Sequence, residues 1–333
     1  MVLVTGGTGL IGAHLLLELS KQEAHIRAIY RTKAKISAVE AFFTSEGAKD
    51  FFLKIEWIQA DITDVPALEA AFRDVTQVYH CAGLISFNPS EYQQLRKTNI
   101  EGTANIVNLC IANAVQKLCY ISSIATLGTK ITETPIDETT YWNPEAANNV
   151  YAITKYGAEM EVWRATQEGL PVVILNPGVV LGEGFKDAPS NKFFKLIQNG
   201  LSYYPPGGTA FVDVKDVVSA LIKGMKTTIQ NERFIAVGTN ASYREVLNTI
   251  AETLDMPAPK KALKPWHLNM LWRLDWFLAL FPWRSRKLTK NTAHSLITTT
   301  RYSNQKIKDK LEIDFTPIQK TIHRISASYR REV

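Results

Sequence analysis

The sequence predicts an α/β fold: a doubly wound parallel sheet with a smaller, mainly helical C-terminal domain. Three observations predict it. Short apolar runs at 2–5, 26–30, 55–59, 75–81, 117–122 and 172–175 alternate with helical stretches, the clearest at 66–73, 92–115 and 150–168. Strands separated by helices build parallel βαβ units. A glycine-rich turn joins the first apolar run to a helical pattern through Leu15, Leu16 and Leu19, and from about residue 240 the rhythm changes to helices rich in aromatics and prolines.

The 333 residues are 46% hydrophobic, enough for a buried core in one large or two modest domains, and they contain no repeat or low-complexity tract. Cys81, Cys110 and Cys119 show no CxxC spacing, so neither a disulfide framework nor a zinc site is expected, and a reducing, cytoplasmic compartment is. The six histidines form no HxxxH pair, and no metal is expected. The first residues lack a basic region and run straight into the glycine pattern, which leaves no room for a signal peptide. Net charge is +6 but uneven: residues 260–310 hold twelve Lys/Arg against Asp275 and Asp309, a net +10, so the remainder is −4. No helix-turn-helix, RNP or finger pattern accompanies that charge, and no nucleic-acid partner is expected.

The glycine turn reads Thr5-Gly6-Gly7-Thr8-Gly9-Leu10-Ile11-Gly12. Gly6 permits the tight turn, Gly9 lets the backbone approach a pyrophosphate, Gly12 lets helix and strand pack closely, and the helix N-terminus faces the anion. Alone the pattern is weak, because small-residue packing also uses it; between a first strand and a first helix it reads as a dinucleotide site. The second strand ends at Tyr30-Arg31 with Lys33 and Lys35 behind, where an NAD site usually carries a carboxylate. Arg31 suits a 2′-phosphate, with a solvated loop charge as the alternative, so NADP is preferred over NAD. Asp61-Ile62, after the third strand, stands where a carboxylate accepts from the adenine amino group or caps a helix.

Tyr151 and Lys155 open a predicted helix at i, i+4 spacing and share a face. A phenol titrates near 10, too high for neutral acid–base work, and a nearby ammonium favours the phenolate, so Lys155 is expected to lower Tyr151. YxxxK by itself is a common accident; Ser122-Ser123 at the end of a strand, 28 residues upstream of Tyr151, adds a hydroxyl that can donate to a carbonyl oxygen in the same crevice.

TGGTGLIG at 5–12, HCAG at 80–83, NIEGT at 99–103, SSIAT at 122–126, YAITK at 151–155 and NPG at 176–178 stand in one order and spacing. In these motifs the chain resembles the extended short-chain dehydrogenase/reductase family, also called the NAD-dependent epimerase/dehydratase family, over about residues 1–240. The resemblance implies a Rossmann domain at 1–176 and 211–238, and a substrate-binding domain at 177–210 and 239–333. It implies Ser123, Tyr151 and Lys155 as the catalytic set. The expected cofactor residues are Gly6, Thr8, Gly9, Leu10, Ile11, Gly12, Arg31, Asp61, Ile62, Ala82, Gly83, Ser122, Pro177, Gly178 and Val180, together with Tyr151 and Lys155. Asn99 is expected to support the site.

Departures from the family's patterns sort its chemistries. Ile124-Ala125 replaces the Asp-Glu pair of the dehydratases, and Leu175-Asn176-Pro177-Gly178 is nearer the RPG pattern of the dihydroflavonol reductase and 3β-hydroxysteroid dehydrogenase branch than the run of the galactose-epimerase branch. With Asn176 in place of arginine, a salt bridge expected from that branch is absent. Phe211-Val212-Asp213-Val214-Lys215-Asp216-Val217 is similar to a later family motif with Asp213 for histidine, and Asp216 is expected to cap the next helix. The activity implied is NAD(P)-dependent reduction of a carbonyl, or oxidation of a secondary alcohol, on a small, fairly apolar substrate. The alternatives are an epimerase that keeps its NAD and a cofactor-binding regulator; a homodimer is left open.

Residues 263–283 carry Trp266, Trp272, Trp276 and Trp283 among leucines, but Arg273, Asp275 and Pro282 make the run too short and too charged to span a bilayer. The favoured reading is small-domain core or pocket wall, so that Trp276→Ala harms substrate affinity or stability and vesicle binding is weak. An interfacial helix with a basic flank, or a protein-docking segment, are the alternatives. Tyr203 to Gly208 reads as a substrate-loop turn or a rigid surface turn.

Overall fold

The structure, a computed structural model, describes residues 1–23, 25–128, 134–185, 188–278 and 289–331. Its strands are β1 (Val2–Thr5), β2 (Ile26–Tyr30), β3 (Ile55–Gln59), β4 (Gln77–His80), β5 (Lys117–Ile121), β6 (Val172–Pro177), β7 (Val179–Leu181), β8 (Tyr203–Tyr204), β9 (Gly208–Asp213), β10 (Glu232–Ala236), β11 (Thr239–Ser242) and β12 (Lys261–Ala262). The first half carries helices α1 (Leu10–Ser20), α2 (Ala34–Ser45), α3 (Lys49–Phe52), α4 (Val65–Ala71), α5 (Tyr92–Leu95), α6 (Gly102–Ala112) and α7 (Val150–Gln167). The second half carries α8 (Lys192–Gln198), α9 (Val214–Lys226), α10 (Tyr243–Thr253), α11 (Pro265–Leu278), α12 (Lys290–Ile297), α13 (Gln305–Leu311) and α14 (Ile318–Arg331).

Seven strands form one parallel sheet in the order β10-β6-β5-β4-β1-β2-β3. The order reverses between β1 and β4, which opens a crevice at their carboxyl ends, the place where such sheets bind ligands. The central strands are buried on both faces, as their apolar runs require, while the edge strand β3 exposes Glu56 and Gln59. On one face the leucines of α1 and the valines of α9 pack against β1, β5 and β6; on the other, α4, α6 and α7 cover Leu3, Val78, Leu118 and Ile174. The doubly wound fold of the sequence reading is the fold observed.

The later part of the chain builds a second layer. β7, β9 and β11 form a small sheet, and α8, α10 and α14 share a third apolar cluster around Phe194, Phe211 and Ile322. Tyr203 and Tyr204 form a short strand against Lys261 and Ala262 rather than a free loop. Two sequence expectations are corrected here. Asp213, the last residue of β9, caps α9 by accepting from the Lys215 N–H at 2.8 Å, because its extended backbone aims the carboxylate at the first turn. Asp216 is already inside that helix and accepts instead from the Thr316 backbone and hydroxyl.

The Trp-rich segment is the other correction. Of α11 only Leu268 and Asp275 are buried, while Trp266 and Trp276 are 57% and 51% exposed, so this helix is not core. Trp283 and the basic residues Arg284, Arg286 and Lys287 lie outside the described residues. Among the described helices none is long and apolar enough to cross a membrane.

Candidate active site

The glycine turn is built as a cradle. Gly6 holds φ at +70°, and a Cβ there would stand 2.6 Å from the Ala82 backbone, so only glycine takes this turn. A Cβ on Gly12 would come within 2.2 Å of the Gly6 carbonyl oxygen, so α1 meets the loop backbone to backbone. Gly9 precedes α1 and offers no side-chain cap, which leaves the helix start suited to an anion. Leu10 and Ile11, half-buried, open the helix.

Beside this turn lies a cavity of about 160 Å³ whose lining includes Gly6, Thr8, Gly9, Arg31, Asp61, Ile62, Ala82 and Gly83. The chain therefore brings eight of the expected cofactor residues to one place at the β1/β4 crevice, and a cradle that any Cβ would fill fits a dinucleotide.

Arg31 is not free of carboxylates, as the sequence reading had it. Asp61 lies 3.8 Å from its guanidinium, because β2 and β3 run parallel with Tyr30 beside Gln59 and so end together. Asp61 does not cap α4; it accepts from the Thr63 backbone and hydroxyl at 2.9 and 2.8 Å, and Asp64 caps the helix.

At the other end of the crevice, β5 stops at Ile121 and delivers two serines. Ser123 starts a short 3-10 turn, its Oγ accepting from the Ala125 N–H at 3.1 Å. The Asn149 carboxamide caps α7 through the Ala152 N–H at 2.9 Å, which sets Tyr151 in the first turn. The Ser123 hydroxyl lies close enough to the Tyr151 phenol to favour its ionised form. Pro177 ends β6 on the neighbouring strand, and Gly178 lets β9 approach: a Cβ there would lie 2.5 Å from the Ala210 carbonyl oxygen. Val180 is half-buried in β7.

Lys155, one turn further along α7, is buried and donates to the Tyr120 hydroxyl at 2.6 Å and the Ile121 carbonyl at 2.7 Å. Burial lowers its pKa to about 7, against the pull of the Glu159 carboxylate and Cys81. Burial raises Tyr151 above its usual value, and the nearby Ser123 hydroxyl offsets part of that rise. The Lys155 amine is directed at Tyr120 and Ile121.

Asn99 supports the site from a π-helical turn, Arg96–Glu101, between α5 and α6. Its carboxamide accepts from the Leu84 N–H at 2.7 Å and donates to the Leu84 carbonyl and the Thr154 hydroxyl. That pins the strand-end loop carrying Gly83 against α7; a Cβ on Gly83 would lie 3.6 Å from Asn99 Oδ1 and 3.9 Å from Lys155 Nζ.

Ser122 is directed elsewhere. Its hydroxyl donates to Glu159, a fully buried carboxylate that also accepts from Thr126 at 2.7 Å, Asn176 at 2.8 Å and Trp163 at 3.3 Å. Arg233 of β10 reaches the same carboxylate at 3.2 Å. The sequence reading did not single out Glu159, Arg233 or Tyr120. Glu159 had a signal: it continues the Tyr151–Lys155 stripe by another i+4 step, a charge placed on a helix face that meets the core. Tyr120 had one too, a phenol inside a strand with no exposed face.

Tyr120 leads into a second chain of polar groups. Thr103 lies near enough to offset part of the rise that burial gives the Tyr120 pKa, Thr103 meets His80 at 3.0 Å, His80 meets Thr5 at 2.6 Å, and Thr5 accepts from the Ala82 N–H at 3.2 Å. Burial pushes His80 down to about 3, so it stays neutral, and the chain links Lys155 to the strand that launches the glycine turn.

The model of the NAD dependent epimerase/dehydratase family matches residues 2–238. The chain belongs to this family. It is an enzyme of the extended short-chain dehydrogenase/reductase type, and its relatives include reductases of the dihydroflavonol branch. This family member is 27% identical over 270 residues to a putative dihydroflavonol 4-reductase of Synechocystis sp., covering 79% of the chain and 75% of that protein. It is 25% identical over 334 residues to cinnamoyl-CoA reductase 1 of Oryza sativa subsp. japonica, covering 97% and 88%. Among solved structures, the UDP-glucose 4-epimerase of Thermotoga maritima superposes with a TM-score of 0.78 at 18% identity over 99% of both chains, a likeness of fold.

Proposed function

We propose that this enzyme transfers hydride between NADP and a carbonyl or secondary alcohol on a small, apolar substrate. The observation that carries the reading is the Phe87 ring edge-on to Tyr151 at 5.6 Å, with the Ser123 hydroxyl near enough to the Tyr151 phenol to favour its ionised form. Phe87 and the nearby Ile85 are 44% and 48% exposed. A hydroxyl pair suits a carbonyl oxygen, and exposed apolar side chains beside it suit an apolar body rather than a polyhydroxy one. The two reductase relatives, covering most of their own length, support a reductase over an epimerase.

A bound nicotinamide supplies or accepts the hydride. The chain's own residues do the rest. Ser123 donates to the substrate oxygen, Tyr151 delivers or removes its proton, and Lys155, held by Tyr120 and Ile121, would bind the nicotinamide ribose. The Gly6–Gly12 cradle holds the pyrophosphate, and Arg31 pairs the 2′-phosphate. Residues 177–210 and 239–333 are read as the substrate-binding part, and the free Cys81, Cys110 and Cys119 support a cytoplasmic location.

The test is a panel of apolar ketones and aldehydes offered with NADPH and with NADH and followed at the nicotinamide absorbance. Faster turnover with NADPH is expected. Interconversion of nucleotide sugars by protein that retains NAD, with no carbonyl turnover, would replace this reading with the epimerase.

A further inference from the structure

We propose that α11 is a docking surface for an anionic lipid bilayer. The helix presents an apolar stripe to solvent: Trp266, Met270, Leu274 and Phe277 recur at i, i+4, i+8 and i+11, and they are 57%, 53%, 50% and 56% exposed. Leu268 and Asp275, on the opposite face, are buried and hold the helix down. An amphipathic helix normally turns its apolar stripe inward. Here the stripe points outward along about 21 Å of helix.

The charges around it select the occupant. Between residues 257 and 278 the exposed charged side chains are Lys260, Lys261, Lys264 and Arg273, all cationic, and the one acid, Asp275, is buried. Arg273 lies along the helix, bonded to the Asn269 carbonyl and stacked on Trp272. A second copy seated on this face would set cation against cation. Tryptophan with a stripe of long apolar side chains and a cationic border is the composition that settles at the headgroup boundary of an anionic membrane. The sequence charge has the same sign, residues 260–310 carrying a net +10.

The placement also suits the site. α11 packs on α12, and from α12 the Asn291 side chain donates to the Asn148 carbonyl, three residues before Tyr151. α12 thus links α11 to the segment that leads into Tyr151. This extends the apolar-substrate reading by naming where such a substrate is met, although docking itself does not depend on that reading.

The experiment is flotation of the full chain with vesicles of equal parts phosphatidylcholine and phosphatidylglycerol, and with phosphatidylcholine alone. Expected is co-flotation with the phosphatidylglycerol vesicles at about 0.1 M salt and release at about 1 M, where the screening length falls from about 10 Å to about 3 Å. Arg273→Gln should lower partition about five-fold. Met270→Glu with Leu274→Glu should abolish it while the thermal unfolding midpoint is unchanged. The proposal is overturned if the wild-type chain stays with the soluble fraction at low salt. It is equally overturned if the double variant floats as well as wild type, or if these residues instead drive a dimer seen by sedimentation. The assay uses neither cofactor nor carbonyl substrate, so its failure and a failure of the reductase reading are separate results.

Discussion

The guanidinium of Arg233 lies 3.2 Å from the buried carboxylate of Glu159, and it arrives from β10 rather than from β6, where the family resemblance places an arginine and this chain has Asn176. No salt bridge starts from position 176, as the sequence reading expects, and Arg233 supplies a cation one strand outward. β10 pairs with β6 in a register that sets Arg233 beside Ile174, two residues before Asn176, and the longer side chain covers the difference. Asn176 keeps a hydrogen bond to the same carboxylate. Glu159 thereby ties α7, which carries Tyr151 and Lys155, to β5, β6 and β10.

Breaking this pair from one side leaves a buried charge without its partner. Arg233→Met should destabilise the fold by about 3 kcal/mol, with Glu159→Gln costing a similar amount. The double variant should lose clearly less than the two single losses combined, because neither charge is then stranded. Urea denaturation of the four proteins measures this; simple additivity would show that the two side chains do not interact.

Tyr151→Phe keeps the ring against Phe87 and removes the hydroxyl beside Ser123. Turnover should fall by roughly 10² to 10⁴, the usual worth of general acid–base catalysis, with cofactor affinity little changed. Near-normal turnover in this variant would take the proton-transfer role away from Tyr151.

The neighbours Arg31 and Asp61 give opposite expectations for cofactor choice. Arg31→Asp removes an attraction for a 2′-phosphate and adds a repulsion, so NADPH affinity should drop about ten-fold or more while NADH affinity changes little. Asp61→Asn, 3.8 Å from that guanidinium, should shift preference further toward NADPH. Titration calorimetry with both cofactors decides the matter, and equal losses for the two in the Arg31 variant would remove it from the site.

What was legible in the sequence was local. The glycine turn, the βαβ rhythm and the Tyr151–Lys155 spacing each depend on residues within a few positions of one another, and backbone sterics or helix geometry link them directly. Arg233 and Glu159 are 74 residues apart, and their meeting depends on the β10–β6 register, which no local pattern reports. The Arg31–Asp61 approach has the same origin, two parallel strands ending side by side. In α11 the apolar and aromatic composition is legible, but composition alone does not say whether the side chains meet a core or solvent. The π-helical turn that carries Asn99 lies inside a continuous helical pattern and left no mark on it.

Lys155 makes the fold's stability depend on pH in a predictable sense. Its folded pKa is lowered by burial to about 7 from 10.5, so between those values the unfolded chain holds a proton that the folded chain has released. Stability therefore rises with pH through this window, and the cost of burying the ammonium is fully present below about pH 7. Cys81 and Cys119 work the other way, since burial pushes both up to about 12 and keeps them protonated in the folded state. The contribution of Lys155 is isolated by comparison with Lys155→Met, which keeps the length of the side chain and removes its charge. The difference in unfolding free energy, wild type minus variant, should rise by on the order of 1 kcal/mol per pH unit from pH 7 to 10. Tyr120→Phe removes the hydroxyl that accepts from the ammonium at 2.6 Å, so it should lower the Lys155 pKa further and move the start of the rise to lower pH. Denaturation in buffers across that range reads both effects, and a flat difference between wild type and Lys155→Met would mean that Lys155 is buried in its ordinary protonated state.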